Sequence, residues 1–435
     1  MLSALALARL IEAGELTPRA VVDVCAEAIA AHEKEVQAFV ALDLVAARHS
    51  ADNPKLAALP LFGLPVGVKD IFDTFDLPTE YGSPIYAGFQ PRADAAAVAL
   101  TRRAGGVVLG KTATTEFATM VPAATRNPHN LDHTPGGSSS GSCAAVAASM
   151  LPIAFGSQTA GSVIRPASFC GVAGFKPSYR LIPTAGVKDV APHLDTAGVF
   201  AAGVADVAFM TAAILDRDLR VDRSPPAAPR IALTRTHLWS KASTAMQRAV
   251  ERAARAAEKA GAKVVDLTLP AILEEAYAAQ FVIQDHETFR SRSYEYDAHR
   301  DKLGKELRES LDAAAAITAD AYDAARRTAK RAPGAGRSDG GARRDPHRLR
   351  ARRRAERLGL DRQSDVQPAV DPHGHAVRQR AGIERGRPAA RYPDRRPFRP
   401  RPRGAGSRGL RRAGDCGVGR ATTPRRCAHA PADRS

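Results

Sequence analysis

The chain has 435 residues, 44% of them hydrophobic, enough to bury a sizeable core and too many for a wholly disordered protein. Its net charge of +17 would point to nucleic acid or an anionic membrane, but residues 331–435 carry 28 Arg, no Lys and 10 acidic residues, a net of +18, which leaves residues 1–330 at −1. Global charge therefore says nothing about what the first 330 residues bind. The five cysteines, Cys25, Cys143, Cys170, Cys416 and Cys427, are odd in number and widely spaced, with no zinc-site pattern, and they fit the reduced thiols of a cytoplasmic protein.

In chain order, apolar positions recur at helical spacing over 3–13 and 18–33, with Gly14 closing the first helix and Thr17-Pro18 supplying the N-cap and first position of the second. Arg9, Glu12 and Glu15 interrupt the apolar N-terminus too early for a signal peptide or a membrane span, so a soluble protein with no membrane partner is expected. LFGLPVGVK, 61–69, reads as a turn entering a buried strand, and 106–112 as another strand behind a helix at 94–104. From 135 to 178 glycine and serine crowd both ends of a helix expected at Ser142–Met150, followed by a short strand at 151–155 and a second Gly/Ser loop. Strands at 229–234 and 263–267 flank a helix at 243–260, and 272–332 is mostly helical. Alternating strand and helix signals imply an α/β domain.

After Lys330 the chain turns to Arg, Pro, Gly and Asp with few apolar residues and no period, a composition expected to be disordered. Twenty-eight Arg beside no Lys suggests a GC-rich gene read in the wrong frame. With GC-rich codons, a one-nucleotide shift can turn 387–400 into GLPLGIQIVGRFG, a strand pattern with flanking glycines. Tyr392 and Phe398 are the tail's only aromatic residues, too few for a base-stacking platform, so nucleic acid is not an expected partner.

A serine hydroxyl needs a base within hydrogen-bond reach to act as a nucleophile. Histidines such as His129 and His193 have no GxSxG elbow to serve, so a Ser-His-Asp triad is not supported. A buried lysine is the alternative base, because desolvation disfavours the ammonium. Lys69 ends an apolar segment, although a single Lys-Asp step is more often a surface pair. Gly136-Gly137-Ser138-Ser139-Ser140-Gly141 lacks the lysine of a phosphate-binding loop, and Gln158-Thr159-Ala160-Gly161-Ser162 offers the successive small-residue amides an oxyanion hole requires. Each loop alone is a weak signal.

Together, GGSSSG, the 24-residue step from Ser138 to Ser162, the following VIRPA, the run FCGVAGFKPS, the upstream GVKD and LGKTATTEFA resemble the amidase signature family over about three quarters of the chain. The resemblance implies an amidase-signature α/β fold, a central mixed β-sheet flanked by α-helices, and a catalytic domain over 1–330 whose C-terminal part is replaced by the tail 331–435. It implies a Ser-cisSer-Lys amidase in which Ser162 attacks, Ser138 passes the proton and Lys69 accepts it. The amides of Thr159, Ala160, Gly161 and Ser162 would hold the oxyanion, and Ser139 would tie the loops together. The expected substrate is a small carboxylic amide, with no metal or organic cofactor. Two departures stand out: the family commonly has an acidic residue at the place of Gln158, and an arginine two positions after the nucleophile, whereas Arg165 is three after Ser162. The segment 114–121 and the helices after 272 are candidates to line the acyl pocket.

Two other functions fit the same resemblance. One is the glutaminase component of a tRNA-dependent amidotransferase, working beside partner subunits. The other is a catalytically inactive scaffold, because the family's C-terminal part supplies strands and cleft walls that an Arg/Pro tail would leave uncovered.

Overall fold

The computed structural model describes residues 1–223 and 227–332. Of the expected tail 331–435 only residues 331 and 332 are described, Arg331 as the last residue of a helix; the rest of the tail, with its expected disorder and frame slip, lies outside the described residues, as do Cys416 and Cys427.

Twelve α-helices and eight strands are present among the described residues. In order they are α1 (Ala4–Glu12), α2 (Pro18–Val36), β1 (Phe39–Leu42), α3 (Leu44–Ala51), β2 (Pro65–Lys69), α4 (Ala96–Arg103), β3 (Val107–Thr112), α5 (Ser140–Ala147), β4 (Ile153–Gln158) and α6 (Ile164–Cys170). There follow β5 (Ala173–Phe175), β6 (Thr196–Ala201), α7 (Val204–Leu215), β7 (Arg230–Leu233), α8 (Thr244–Lys259), β8 (Lys263–Asp266), α9 (Ile272–Ser291), α10 (Ser293–His299), α11 (Lys305–Ala314) and α12 (Ala319–Arg331). The caps read from sequence form: Thr17 Oγ1 accepts from the Ala20 amide at 3.1 Å, with Pro18 in the first helical turn.

The central sheet is mixed, in the order β1-β3-β2-β4-β6-β5. β2 pairs parallel with β3 and β4, while β1, β6 and β5 join antiparallel. Alternation along the strands divides the core. Val66, Val68, Val108, Ile153 and Phe155 pack with apolar residues of α1, α4 and α7 on one face. Leu109 and Ala154 pack with those of α2, α3, α5 and α6 on the other. This is a sheet covered by helices on both sides, and its central strand is buried along its whole length, as a parallel strand must be. A separate two-stranded parallel sheet joins β7 and β8.

Around the serine loops two boundaries differ from the sequence reading. α5 begins at Ser140 and ends at Ala147 instead of spanning 142–150, because Ser149 adopts a left-handed conformation (φ 61°) that ends the helix. β4 spans 153–158 instead of 151–155: β6 pairs along it from Ile153↔Ala201 to Gln158↔Thr196. Gly156, Ser157 and Gln158, expected in a loop, are therefore strand. The N-terminus of α5 lies hard against the end of β3, where the Gly141 amide donates to Ala113 O at 2.9 Å. A Cβ on Gly141 would collide with the Ala38 carbonyl and the Ala113 amide, so only glycine fits this approach.

Candidate active site

Lys69 is the last residue of β2 and is fully buried. Its Nζ lies 2.7 Å from Ser138 Oγ and 2.9 Å from Ser157 Oγ. Burial lowers its pKa from the ordinary lysine value to about 7; the nearby charge of Asp195 pulls it up and that of Arg165 pushes it further down. A lysine in this state holds a large neutral fraction at neutral pH and can take a proton.

Ser138 follows a cis peptide bond from Gly137 and is 1% exposed. The loop around it is fixed on all sides. Thr115 N donates to Ser138 O at 3.3 Å, and Arg165 Nε and Nη2 both donate to Gly137 O at 3.1 and 3.0 Å. Ser139 Oγ donates to Ser157 O and accepts from Ser157 N, each at 3.3 Å, two contacts between the serine loop and β4. The guanidinium of Arg165 thus grips the carbonyl of the cis peptide.

Ser162 sits on the turn between β4 and α6, 9% exposed, and among the described residues no hydrogen bond engages its hydroxyl. Gln158 organises that turn: its Oε1 accepts from the amides of Val163 at 2.9 Å and Ile164 at 3.0 Å. Among the described residues no protein acceptor meets the amides of Ala160, Gly161 and Ser162. A neutral glutamine oxygen thus suffices to tie this turn.

Sequence reasoning missed three features. Ser157, the second oxygen on Lys69, was hidden in a stretch read as loop. Asp195 accepts from Thr159 Oγ1 at 2.5 Å and from the amides of Val190 and Ala191 at 2.7 and 3.0 Å, pinning the turn after β4 to the segment before β6. Burial raises its pKa to about 6, against the lowering effect of those hydrogen bonds. No motif marks it. Behind Lys69, Asp70 pairs with Lys111 (Oδ1 to Nζ 3.0 Å), both essentially unexposed, and Lys111 also donates to Thr79 Oγ1 at 2.5 Å and Pro78 O at 3.2 Å. The Lys-Asp step that reads as a surface pair is thus two buried residues facing different partners, Lys69 the serines and Asp70 a second lysine.

The segments expected to line an acyl pocket meet each other. The Arg292 guanidinium, at the α9–α10 junction, lies 5.0 Å over the Phe117 ring, and Glu116 accepts from Ser83 Oγ at 2.9 Å and Gly304 N at 3.0 Å.

Residues 20–335 match the Amidase family model. The chain belongs to the Amidase family. It is 33% identical over 308 residues to a glutamyl-tRNA(Gln) amidotransferase subunit from Desulforapulum autotrophicum, covering 64% of this chain and 63% of that protein. The chain thus spans about three fifths of the length of this curated relative. Among solved structures, that of a vestigial protein complex revealing the evolutionary origins of an s-triazine catabolic enzyme superposes with TM-score 0.70 at 27% identity, over 77% of this chain and 78% of the other. The peptide amidase of Stenotrophomonas maltophilia superposes with TM-score 0.65 at 28% identity, over 76% and 79%. The mixed sheet flanked by helices is the fold of these amidase-family neighbours. Among the described residues no helix is long and apolar enough to cross a membrane.

Proposed function

We propose that the protein hydrolyses a small carboxylic amide to an acid and ammonia or an amine through a Ser162 acyl-enzyme. Ser162 Oγ attacks the amide carbonyl while its proton passes to Ser138, whose own proton moves to the neutral Nζ of Lys69. The amides of Thr159, Ala160, Gly161 and Ser162 stabilise the oxyanion. The ammonium returns the proton through Ser138 to the leaving nitrogen, the C–N bond breaks, and water then releases the acid by the same relay in reverse order. No step calls for a metal or organic cofactor.

The observation that carries this reading is the fully buried Lys69 amine 2.7 Å from the Ser138 hydroxyl. The catalytic domain is assigned to residues 1–330 and the Arg-rich segment 331–435 is set apart from it; the cytoplasm is the compartment that suits the buried free thiols of Cys25, Cys143 and Cys170. Ammonia release from a panel of simple amides tests the chemistry: Ser162→Ala abolishes turnover and Lys69→Met lowers it by several orders of magnitude. Substantial hydrolysis by Ser162→Ala would overturn the assignment.

A second reading, the glutaminase component of an amidotransferase, is favoured by the names of the relatives at 33–36% identity. It expects hydrolysis of glutamine that rises when partner subunits are added, whereas a stand-alone amidase needs none. An inactive scaffold, the third reading, expects no release from any amide.

A further inference from the structure

The Lys69 amine has two side-chain oxygens on it, and the proposed relay employs only one. A neutral amine carries two N–H bonds and one lone pair; to accept a proton from Ser138 it must turn the lone pair toward that hydroxyl. The bond at 2.7 Å to Ser138 Oγ alone does not decide this, because Nζ–H donating to Ser138 and Ser138 O–H donating to Nζ share the same heavy-atom geometry. Ser157 Oγ, at 2.9 Å, is the other oxygen. It stands on a central strand, opposite Ala197 of β6, and its backbone is bonded on both polar atoms to Ser139 Oγ. Its hydroxyl is therefore held by rigid structure at a fixed place beside a fully buried amine.

We propose that Ser157 is a positioning residue for the proton relay, taking one Nζ–H of Lys69 so that the lone pair faces the Ser138 hydroxyl, and then holding the ammonium that proton transfer creates. The proposal rests on Lys69 being the base. The balance is simple: the Ser138 O–H bond breaks, an N–H bond forms on Nζ from its lone pair, and the Nζ–H to Ser157 persists throughout, gaining strength as the nitrogen becomes charged. A contact stronger after transfer than before it accelerates the step. The charged groups in reach of Lys69 are Asp195, before β6, and Arg165, on α6, and neither is altered by substitution at 157.

The test uses the full chain with Ser157→Ala, Ser157→Thr and Lys69→Met. Loss of one hydrogen bond to a charged group predicts a fall in kcat of about 10- to 100-fold for Ser157→Ala. KM stays within about twofold, since in this proposal Ser157 acts through Lys69. In parallel, carbon NMR of labelled lysines follows Lys69, identified by the resonance that Lys69→Met removes. Its titration midpoint moves to lower pH in Ser157→Ala, because the ammonium has lost an acceptor, and Ser157→Thr returns both kcat and midpoint toward wild type. A kcat within about twofold of wild type in Ser157→Ala overturns the proposal, as does an unmoved midpoint with activity loss matched by lowered thermal stability. The NMR titration needs no turnover, so it decides the Ser157 contact even where failure of Lys69→Met to reduce hydrolysis has removed Lys69 as the base.

Discussion

Replacing Lys69 by Met separates the cost of the buried amine from its chemistry. In the folded state its pKa lies at about 7, against 10.5 for an ordinary lysine. Between those values the unfolded chain binds a proton that the folded chain does not, so the wild type gains stability as pH rises, and the penalty is complete below pH 7. One proton is worth about 1.4 kcal/mol per pH unit, so the full penalty approaches about 5 kcal/mol, and about 3 kcal/mol of it disappears between pH 7 and roughly pH 9.5. Met keeps the apolar stem and has no proton to bind. Ser138 and Ser157 lose a partner in the variant, but that loss does not depend on pH. Urea unfolding of both proteins across this range, followed by circular dichroism, therefore shows the free-energy gap shifting in favour of the wild type as pH rises. Curves that run parallel within about 0.5 kcal/mol would refute the claim that burial holds this amine neutral.

The activity of the wild type depends on the same group with the same sign: kcat/KM for a neutral amide rises with pH to a plateau, half-maximal near pH 7, the value set by Lys69, and a flat profile from pH 5 to 8 would exclude Lys69 as the base. Lys111→Met strands the buried Asp70 carboxylate and lowers stability by about 3–5 kcal/mol in urea melts, much of which Asp70→Asn in the same chain restores. Gln158→Leu leaves the Val163 and Ile164 amides without their acceptor, a loss of about 2–4 kcal/mol accompanied by lower kcat, whereas Gln158→Glu keeps both bonds and the fold.

What could be read from sequence followed from how local each signal is. The first two helices announce themselves by period and cap, and the serine loops by composition, because those are properties of neighbouring residues. From composition and pattern alone Lys69 is only the end of an apolar strand, and its pairing with Ser138 rests on the motif resemblance; in the structure that meeting depends on β2 ending beside the N-terminus of α5, an approach set by Gly141 and the strand order. Ser157 and Asp195 were not legible. Gly156-Ser157-Gln158 has loop composition and becomes strand only through pairing with β6, some forty residues on, and Asp195 acts through Thr159, thirty-six residues earlier. The Lys-Asp step alone could not show that Asp70 is buried either, because its partner Lys111 lies on β3.

Covalent labelling bears most directly on Ser162 as the nucleophile of a relay ending at Lys69. A fluorophosphonate is added to the full chain, and the adduct is mapped by mass spectrometry. The expected outcome is a single adduct on Ser162, absent in Ser162→Ala, slowed by several orders of magnitude in Lys69→Met, and forming faster as pH rises through about 7. An adduct on Ser138 or another serine, or labelling of Ser162 that is indifferent to loss of Lys69, would contradict the relay.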